Sequence, residues 1–200
     1  MGEISGGQLA AEAIEQQDVN YIFTLSGGHI TPIYQYLVNT EVTLFDTRHE
    51  QSALFMAEAW GKLTRKPGVA MVTAGPGFTN ALTGIASAAF SNTPLVFIAG
   101  CVGQNAQEKL DLQDMRQAPT IEPMVKKALV CNKTERIPEY VDMAFRTASS
   151  GRPGPVYLEI PVDLLNASVE VESAKKFKSS VIARPVDLEG AAAVMSMIQE

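Results

Sequence analysis

The chain has 200 residues, with 16 Lys and Arg against 22 Asp and Glu, a formal net charge of −6 and a pI near 5.0. That length suits one α/β domain with a sizeable core, and the acidic balance argues against a binder of phosphate backbones, so no nucleic-acid partner is expected. Two cysteines, Cys101 and Cys131, are too few for a disulfide framework, and the start Met-Gly-Glu-Ile-Ser has neither a basic nor an apolar leader segment. No apolar run approaches the roughly 18 residues that span a bilayer, so a cytoplasmic protein with inert thiols and no membrane partner is expected.

Residues 4–16 read as a helix with Ser5 as N-cap and Leu9, Ala13 and Ile14 on its apolar face, ended by Asp18-Val19-Asn20. Residues 21–25, Tyr-Ile-Phe-Thr-Leu, form a short and almost wholly apolar run, the pattern of a strand buried on both faces. It opens into Ser26-Gly27-Gly28-His29, and a helix over 30–38 tolerates Pro32 in its first turn. The unit then repeats. A strand over 42–45 leads to a helix over 48–64 with Ala53, Met56, Ala57 and Trp60 along one side, followed by a strand over 68–73. Ala74-Gly75-Pro76-Gly77 is a turn, 78–90 a helix rich in small residues, and 94–99 another buried strand.

The stretch 100–120 is polar, lacks clean periodicity and exceeds a normal connection, which marks it as a site-facing segment. Strands over 125–130 and 156–160 flank a helix over 137–148 whose Ile137, Val141, Ala144 and Phe145 share a face. The pattern predicts a doubly wound, mostly parallel six-stranded sheet with helices on both faces. From Asn166 to Pro185 the composition shifts to that of an exposed linker, which includes Lys175 and Lys176, and a fresh helix starts with Asp187 as N-cap. The expected organisation is a domain over 1–165, a linker over 166–185 and, over 186–200, the first helix of a truncated further domain.

Asp46-Thr47-Arg48-His49-Glu50 places an ionic cluster where a strand hands over to a helix. A carboxylate in a first helical turn can be a mere dipole partner, worth about 0.3–1 kcal/mol. Glu50 also keeps company with strand ends that open into glycine-rich turns, so a concave, mostly uncharged site around this acid is the sharper reading. Gly75-Pro76-Gly77-Phe78-Thr79-Asn80 follows a strand and opens a helix, where free backbone N–H groups can meet a polar ligand. It is not a dinucleotide fingerprint, because Asn80 stands where G-x-G-x-x-G needs its third glycine. For Gly27-Gly28 an ordinary turn and a close approach to a ligand both stand open. His29 and His49 are the only histidines, no Cys or carboxylate lies at zinc-ligand spacing, and no metal site is expected within the chain. A Gly-x-Ser-x-Gly elbow is also absent. Gln113 and Asp114 lie in the long polar segment, as solvated loop residues or substrate contacts, and Arg152 lies in a rigid Gly-Arg-Pro-Gly turn.

Taken together, FTLSGGHITP at 23–32, DTRHEQSALFMAE at 46–58, TAGPGFTN at 73–80 and SGRPGPVYLEIP at 150–161 resemble the N-terminal, pyrimidine-binding domain of thiamine-diphosphate enzymes of the acetolactate synthase type. The resemblance covers about residues 3–165 and extends to the branch that includes 2-hydroxyacyl-CoA lyases. It implies that Glu50 faces N1′ of the cofactor's aminopyrimidine and, by sharing a proton with it, favours the tautomer that activates the thiazolium carbon. By position it implies that Gly75, Pro76 and Gly77 border the pyrimidine, that Asn80 is the helix-start asparagine of this cofactor-binding set, a local structural hydrogen-bonder, and that Gly27 and Gly28 border the substrate side. It also implies that Gln113 and His29 contact substrate and that Arg152 matches an arginine contacting FAD in acetolactate synthases, with FAD or ADP as a further ligand of the whole protein. Ser26-Gly27-Gly28-His29 and Leu112-Gln113-Asp114 depart from the Pro-Gly-Gly-Ala and Phe-Gln-Glu patterns common in acetolactate synthases, which puts acetolactate synthesis itself in question. In such enzymes the diphosphate and Mg²⁺ are held by a Gly-Asp-Gly motif with a downstream Asn, absent from these residues, and the site forms between two subunits. The resemblance therefore implies a homodimer or homotetramer of the full-length protein and an isolated chain that is catalytically silent. A stand-alone α/β dimerisation module without chemistry is the alternative, disfavoured by the presence of Glu50 together with Gly-Pro-Gly.

Overall fold

The computed structural model describes residues 2–171 and 187–199. The chain runs β1 (Gly2–Ser5), α1 (Gly6–Glu15), β2 (Tyr21–Leu25), α2 (Thr31–Leu37), β3 (Thr43–Asp46), α3 (Glu50–Thr64), β4 (Gly68–Val72) and α4 (Pro76–Phe90). It continues through β5 (Leu95–Cys101), α5 (Gln117–Ile121), β6 (Ala128–Val130), α6 (Ile137–Ser149), β7 (Pro155–Pro161), α7 (Val162–Asn166), β8 (Ser168–Val171) and α8 (Leu188–Gln199). Six strands form one sheet in the order β3-β2-β4-β5-β7-β6, and every pair in it is parallel. This is the doubly wound sheet that the alternation of apolar runs predicts.

The register explains why those runs are apolar on both faces. Ile22, Val69, Val96 and Val156 stand side by side in one row across four strands, and Phe23, Ala70, Phe97 and Tyr157 in the next. The first row packs into a core with Leu9, Ile14, Ile33 and Leu37 of α1 and α2 and Val141 and Ala144 of α6. The second packs against Ala53, Leu54 and Ala57 of α3 and Phe78, Ala81 and Ile85 of α4. Helices thus cover both faces of the central strands, and β4, β5 and β7 are buried along their whole length. Met56, expected on the buried side of α3, is exposed, and Leu54 takes the buried place.

Several local expectations shift. Ser5 does cap α1, its side chain accepting the N–H of Gln8 at 3.2 Å, but Ile4 lies in a strand because β1 pairs antiparallel with β8. That strand uses the start of the stretch read as linker, while 172–186, with Lys175 and Lys176, lie outside the described residues. Gly100 and Cys101 extend β5 rather than opening the loop, and the end of the polar segment turns into α5. Asp187 caps α8 through the N–H of Gly190 at 2.9 Å.

The strand order fixes where a site can form. From β2 the chain moves to one edge through β3, then returns past β2 to β4 and β5, so the connections diverge between β2 and β4. In such sheets a crevice opens at that point, outside the carboxyl ends of the strands. The turns after β2 and β4 and the start of α3 all meet there.

Candidate active site

Thr47 ends β3 by donating from its N–H and its hydroxyl to the carbonyl of Thr24, at 2.8 and 3.0 Å. His49 then caps α3, its Nδ1 accepting the N–H of Gln51 at 3.2 Å, and so serves local structure. Arg48 pairs with Asp46 at 2.7 Å on the surface, where such a pair contributes about 0–1 kcal/mol. Glu50, first residue of the helix, is only 8% exposed. Its Oε2 accepts a hydrogen bond from Nδ2 of Asn80 at 2.9 Å, and nothing among the described residues donates to its Oε1. A carboxylate held at one oxygen and bare at the other is a group prepared for a partner that the described residues do not supply.

The Gly75-Pro76-Gly77 turn stands over that bare oxygen. A Cβ on Gly77 would lie 2.8 Å from Cγ2 of Thr73 and 3.3 Å from Oε1 of Glu50, so a side chain there would fill the space beside the acid. Gly75 has φ of +60°, a conformation open to glycine, and Pro76 starts α4 with the one residue that needs no N–H partner. Gly27 approaches Thr73 from the β2 side, where an added Cβ would be 2.3 Å from Cβ of Thr73. Gly28 meets nothing within 4 Å and faces open space.

His29 continues this rim. Its Nδ1 lies 3.2 Å from the hydroxyl of Thr73, and Gly100 admits it, since a Cβ there would come within 2.5 Å of Cβ of His29. Burial lowers the pKa of His29, against opposing contributions from the Asp111 charge and a hydrogen bond with Gln113. The imidazole is therefore neutral at pH 7. Gln113 adopts φ of +67° and sets its Cβ 2.8 Å from the position a Cβ on Gly75 would take. The polar segment thus folds onto the crevice, as its composition suggests.

Glu50, Asn80, Gly75, Pro76, Gly77, Gly27, Gly28, His29 and Gln113 accordingly gather at one end of the sheet. Asp114 lies beside them, lining a cavity of about 220 Å³ with Cys101, Gln117 and Glu159. Arg152 does not join them: it is exposed in the turn between α6 and β7, at the amino end of the strands. A larger cavity of about 490 Å³, lined by Tyr21, Trp60, Arg65 and Phe145 among others, also opens at that far end and holds none of the candidates. Both cysteines are buried thiols; burial pushes Cys131 up to about 11 and Cys101 further in the same direction, as inert groups. Two contributors had no signal in the sequence. Thr73 touches Gly27, His29 and Gly77, and Gln117 accepts the N–H of Gly75 at 2.8 Å, both through contacts between distant segments.

The sequence profile of the family described as thiamine pyrophosphate enzyme, N-terminal TPP binding domain, matches residues 4–120. The chain is 39% identical over 160 residues to 2-hydroxyacyl-CoA lyase 2 of Xenopus laevis, covering 80% of this chain and 25% of that protein. It is 37% identical over 157 residues to the acetolactate synthase large subunit IlvG of Mycobacterium tuberculosis, covering 78% and 29%. The catabolic acetolactate synthase of Raoultella terrigena matches at 35% over 161 residues, covering 80% and 29%. The chain spans between 25% and 29% of the length of these relatives.

Proposed function

The chain belongs to the thiamine pyrophosphate enzymes, as their N-terminal TPP-binding domain, and from that premise we propose that Glu50 is the acid contact of the cofactor's aminopyrimidine in an enzyme that makes or breaks a C–C bond next to a carbonyl. The observation that carries this reading is the buried carboxylate with Oε2 held by Asn80 and Oε1 facing the space that Gly77 leaves empty. A ring nitrogen able to share a proton is the chemical complement of that oxygen.

Bound thiamine diphosphate supplies a nucleophilic carbon and an electron sink, which no side chain provides. The residues of this chain orient it and handle protons. Glu50 would share a proton between its Oε1 and a nitrogen of the bound ring. Asn80 keeps the carboxylate in one rotamer, so the proton is offered in a fixed direction. Gly75 and Gly77 would let the backbone approach a bound ring, with Thr73 packed beside Gly77. His29, with Nδ1 turned to Thr73, presents Nε2 to a substrate oxygen, and Gln113 gives a second polar contact. A scaffold without chemistry would need neither the buried acid nor the bare glycine.

The substrate in this reading is a 2-hydroxyacyl-CoA, the class in the name of one relative, or a 2-keto acid, the class implied by the resemblance to acetolactate synthases. Diphosphate and Mg²⁺ are held by other polypeptide, in a homodimer or homotetramer located in the cytoplasm. The exposed Val194, Met195, Met197 and Ile198 of α8 support a further domain packing on that helix. FAD or ADP, as an added ligand of the whole protein, would meet Arg152 at the other end of the sheet, away from Glu50.

Titration calorimetry on the full-length protein with a divalent cation present tests the reading. Thiamine diphosphate is expected to bind and NAD to give no heat. Binding of NAD in preference to thiamine diphosphate would overturn the assignment.

A further inference from the structure

Gln117 opens α5 where the 103–116 segment ends, and at 1% exposure it is among the most deeply buried polar side chains described. Its Oε1 accepts the N–H of Gly75 at 2.8 Å. Its Nε2 donates to the carbonyl of Gly100 at 3.0 Å and lies 2.9 Å from the hydroxyl of Tyr157 and 3.3 Å from Oε2 of Glu159. Tyr157 in turn donates to Oε2 of Glu159 at 2.7 Å. A side-chain amide accepts at one end and donates at the other while remaining neutral. The oxygens gathered around Nε2 settle which end meets Gly75, so the amide's orientation belongs to the network on β5 and β7.

The same segment reaches Gly75 twice. Gln113 stands against its α-carbon and Gln117 holds its N–H, while Gln113 also bonds His29. Gly75 immediately precedes Pro76 and Gly77, so a shift at its N–H moves the turn that leaves Glu50 uncovered.

We propose that Gln117 is a positioning residue of this site: it ties the Gly75 turn to the carboxyl ends of β5 and β7 and carries the placement of the 103–116 segment into the gap between Gly77 and Glu50. The proposal rests on the reading of Glu50 and Gly77 as the cradle of the pyrimidine. Its chemistry needs an acceptor at Gly75 and a donor toward Gly100 from one neutral group, which explains a buried Gln where an apolar residue would otherwise pack.

Gln117→Met keeps the volume and removes both hydrogen bonds; Gln117→Glu restores the acceptor for Gly75. Two quantities are measured in the full-length protein: hydrogen exchange at the Gly75 amide without cofactor, and affinity for thiamine diphosphate with a divalent cation. In Gln117→Met the Gly75 amide is expected to exchange at least roughly tenfold faster, with β4 and β5 amides unchanged, and affinity to fall roughly tenfold. Gln117→Glu is expected to regain part of that protection at Gly75, its second oxygen facing the acceptors of Gly100 and Glu159. It also serves as the test should Gln117→Met fail to fold, with exchange still faster than in wild type because the donor toward Gly100 is lost. Unchanged exchange at Gly75 in a folded variant overturns the role of Gln117. Faster exchange with unchanged affinity overturns the link from turn to cofactor. Failure of the wild type to bind thiamine diphosphate overturns the cradle reading instead, and the exchange measurement still decides whether Gln117 holds the turn.

Discussion

At the scale of single residues, the site depends on what is missing as much as on what is present. Oε1 of Glu50 is available because position 77 carries no side chain, and Oε2 is fixed because Asn80 reaches it from the first turns of α4. Asn80→Ala removes the one hydrogen bond that, among the described residues, orients the acid. A hydrogen bond to a charged group contributes about 1.5–3 kcal/mol, and Asn80 is partly in water, so the lower end applies. Turnover of the thiamine-diphosphate-loaded protein is expected to fall roughly tenfold in Asn80→Ala, by steady-state kinetics, with the fold intact by circular dichroism. Unchanged turnover would show that Glu50 needs no orienting partner. Glu50 itself was legible in the sequence as an acid at a helix start beside glycine turns. Thr73 and Gln117 were not, since a threonine at a strand end and a glutamine in a polar stretch show their use only when segments distant in sequence close on them.

At the scale of elements, Glu50 meets Asn80 because α3 and α4 lie side by side. Gly84 allows it, as a Cβ there would stand 2.3 Å from Cβ of Leu54. The far ends of the helices are joined by Glu58, whose carboxylate accepts from Ser91 Oγ and pairs with Lys62 Nζ, each at 2.7 Å. Burial alone would raise the pKa of Glu58, and the bonds from Lys62 and Ser91 outweigh it and hold the carboxyl below its ordinary value. Between the folded and the ordinary value the unfolded chain therefore binds more protons, and stability rises with pH. The contribution is full above the ordinary glutamate range and is lost as pH falls through the folded value. Glu58→Gln is expected to lower stability by roughly 1–2 kcal/mol at pH 7 in denaturant unfolding, with the difference from wild type closing below about pH 4. A difference that persists unchanged in acid would contradict it. The sheet strands and their helices were legible because period and length mark runs buried on both faces, whereas β1 and β8 were not, since each is four residues long and its partner lies at the other end of the chain.

At the scale of the whole molecule, one topological fact organises the rest: the connections diverge between β2 and β4, and the residues with chemical potential collect at that end. The opposite end holds the larger cavity and Arg152 but no buried acid facing a bare glycine. The central claim is that Glu50 acts on the ring nitrogen of bound thiamine diphosphate. It is tested most directly by the rate at which the thiazolium C2 proton of the bound cofactor exchanges with deuterium, compared between wild type and Glu50→Gln at saturating cofactor. The account predicts exchange at least about 100-fold slower in Glu50→Gln with the cofactor still bound; equal rates in the two proteins would contradict it.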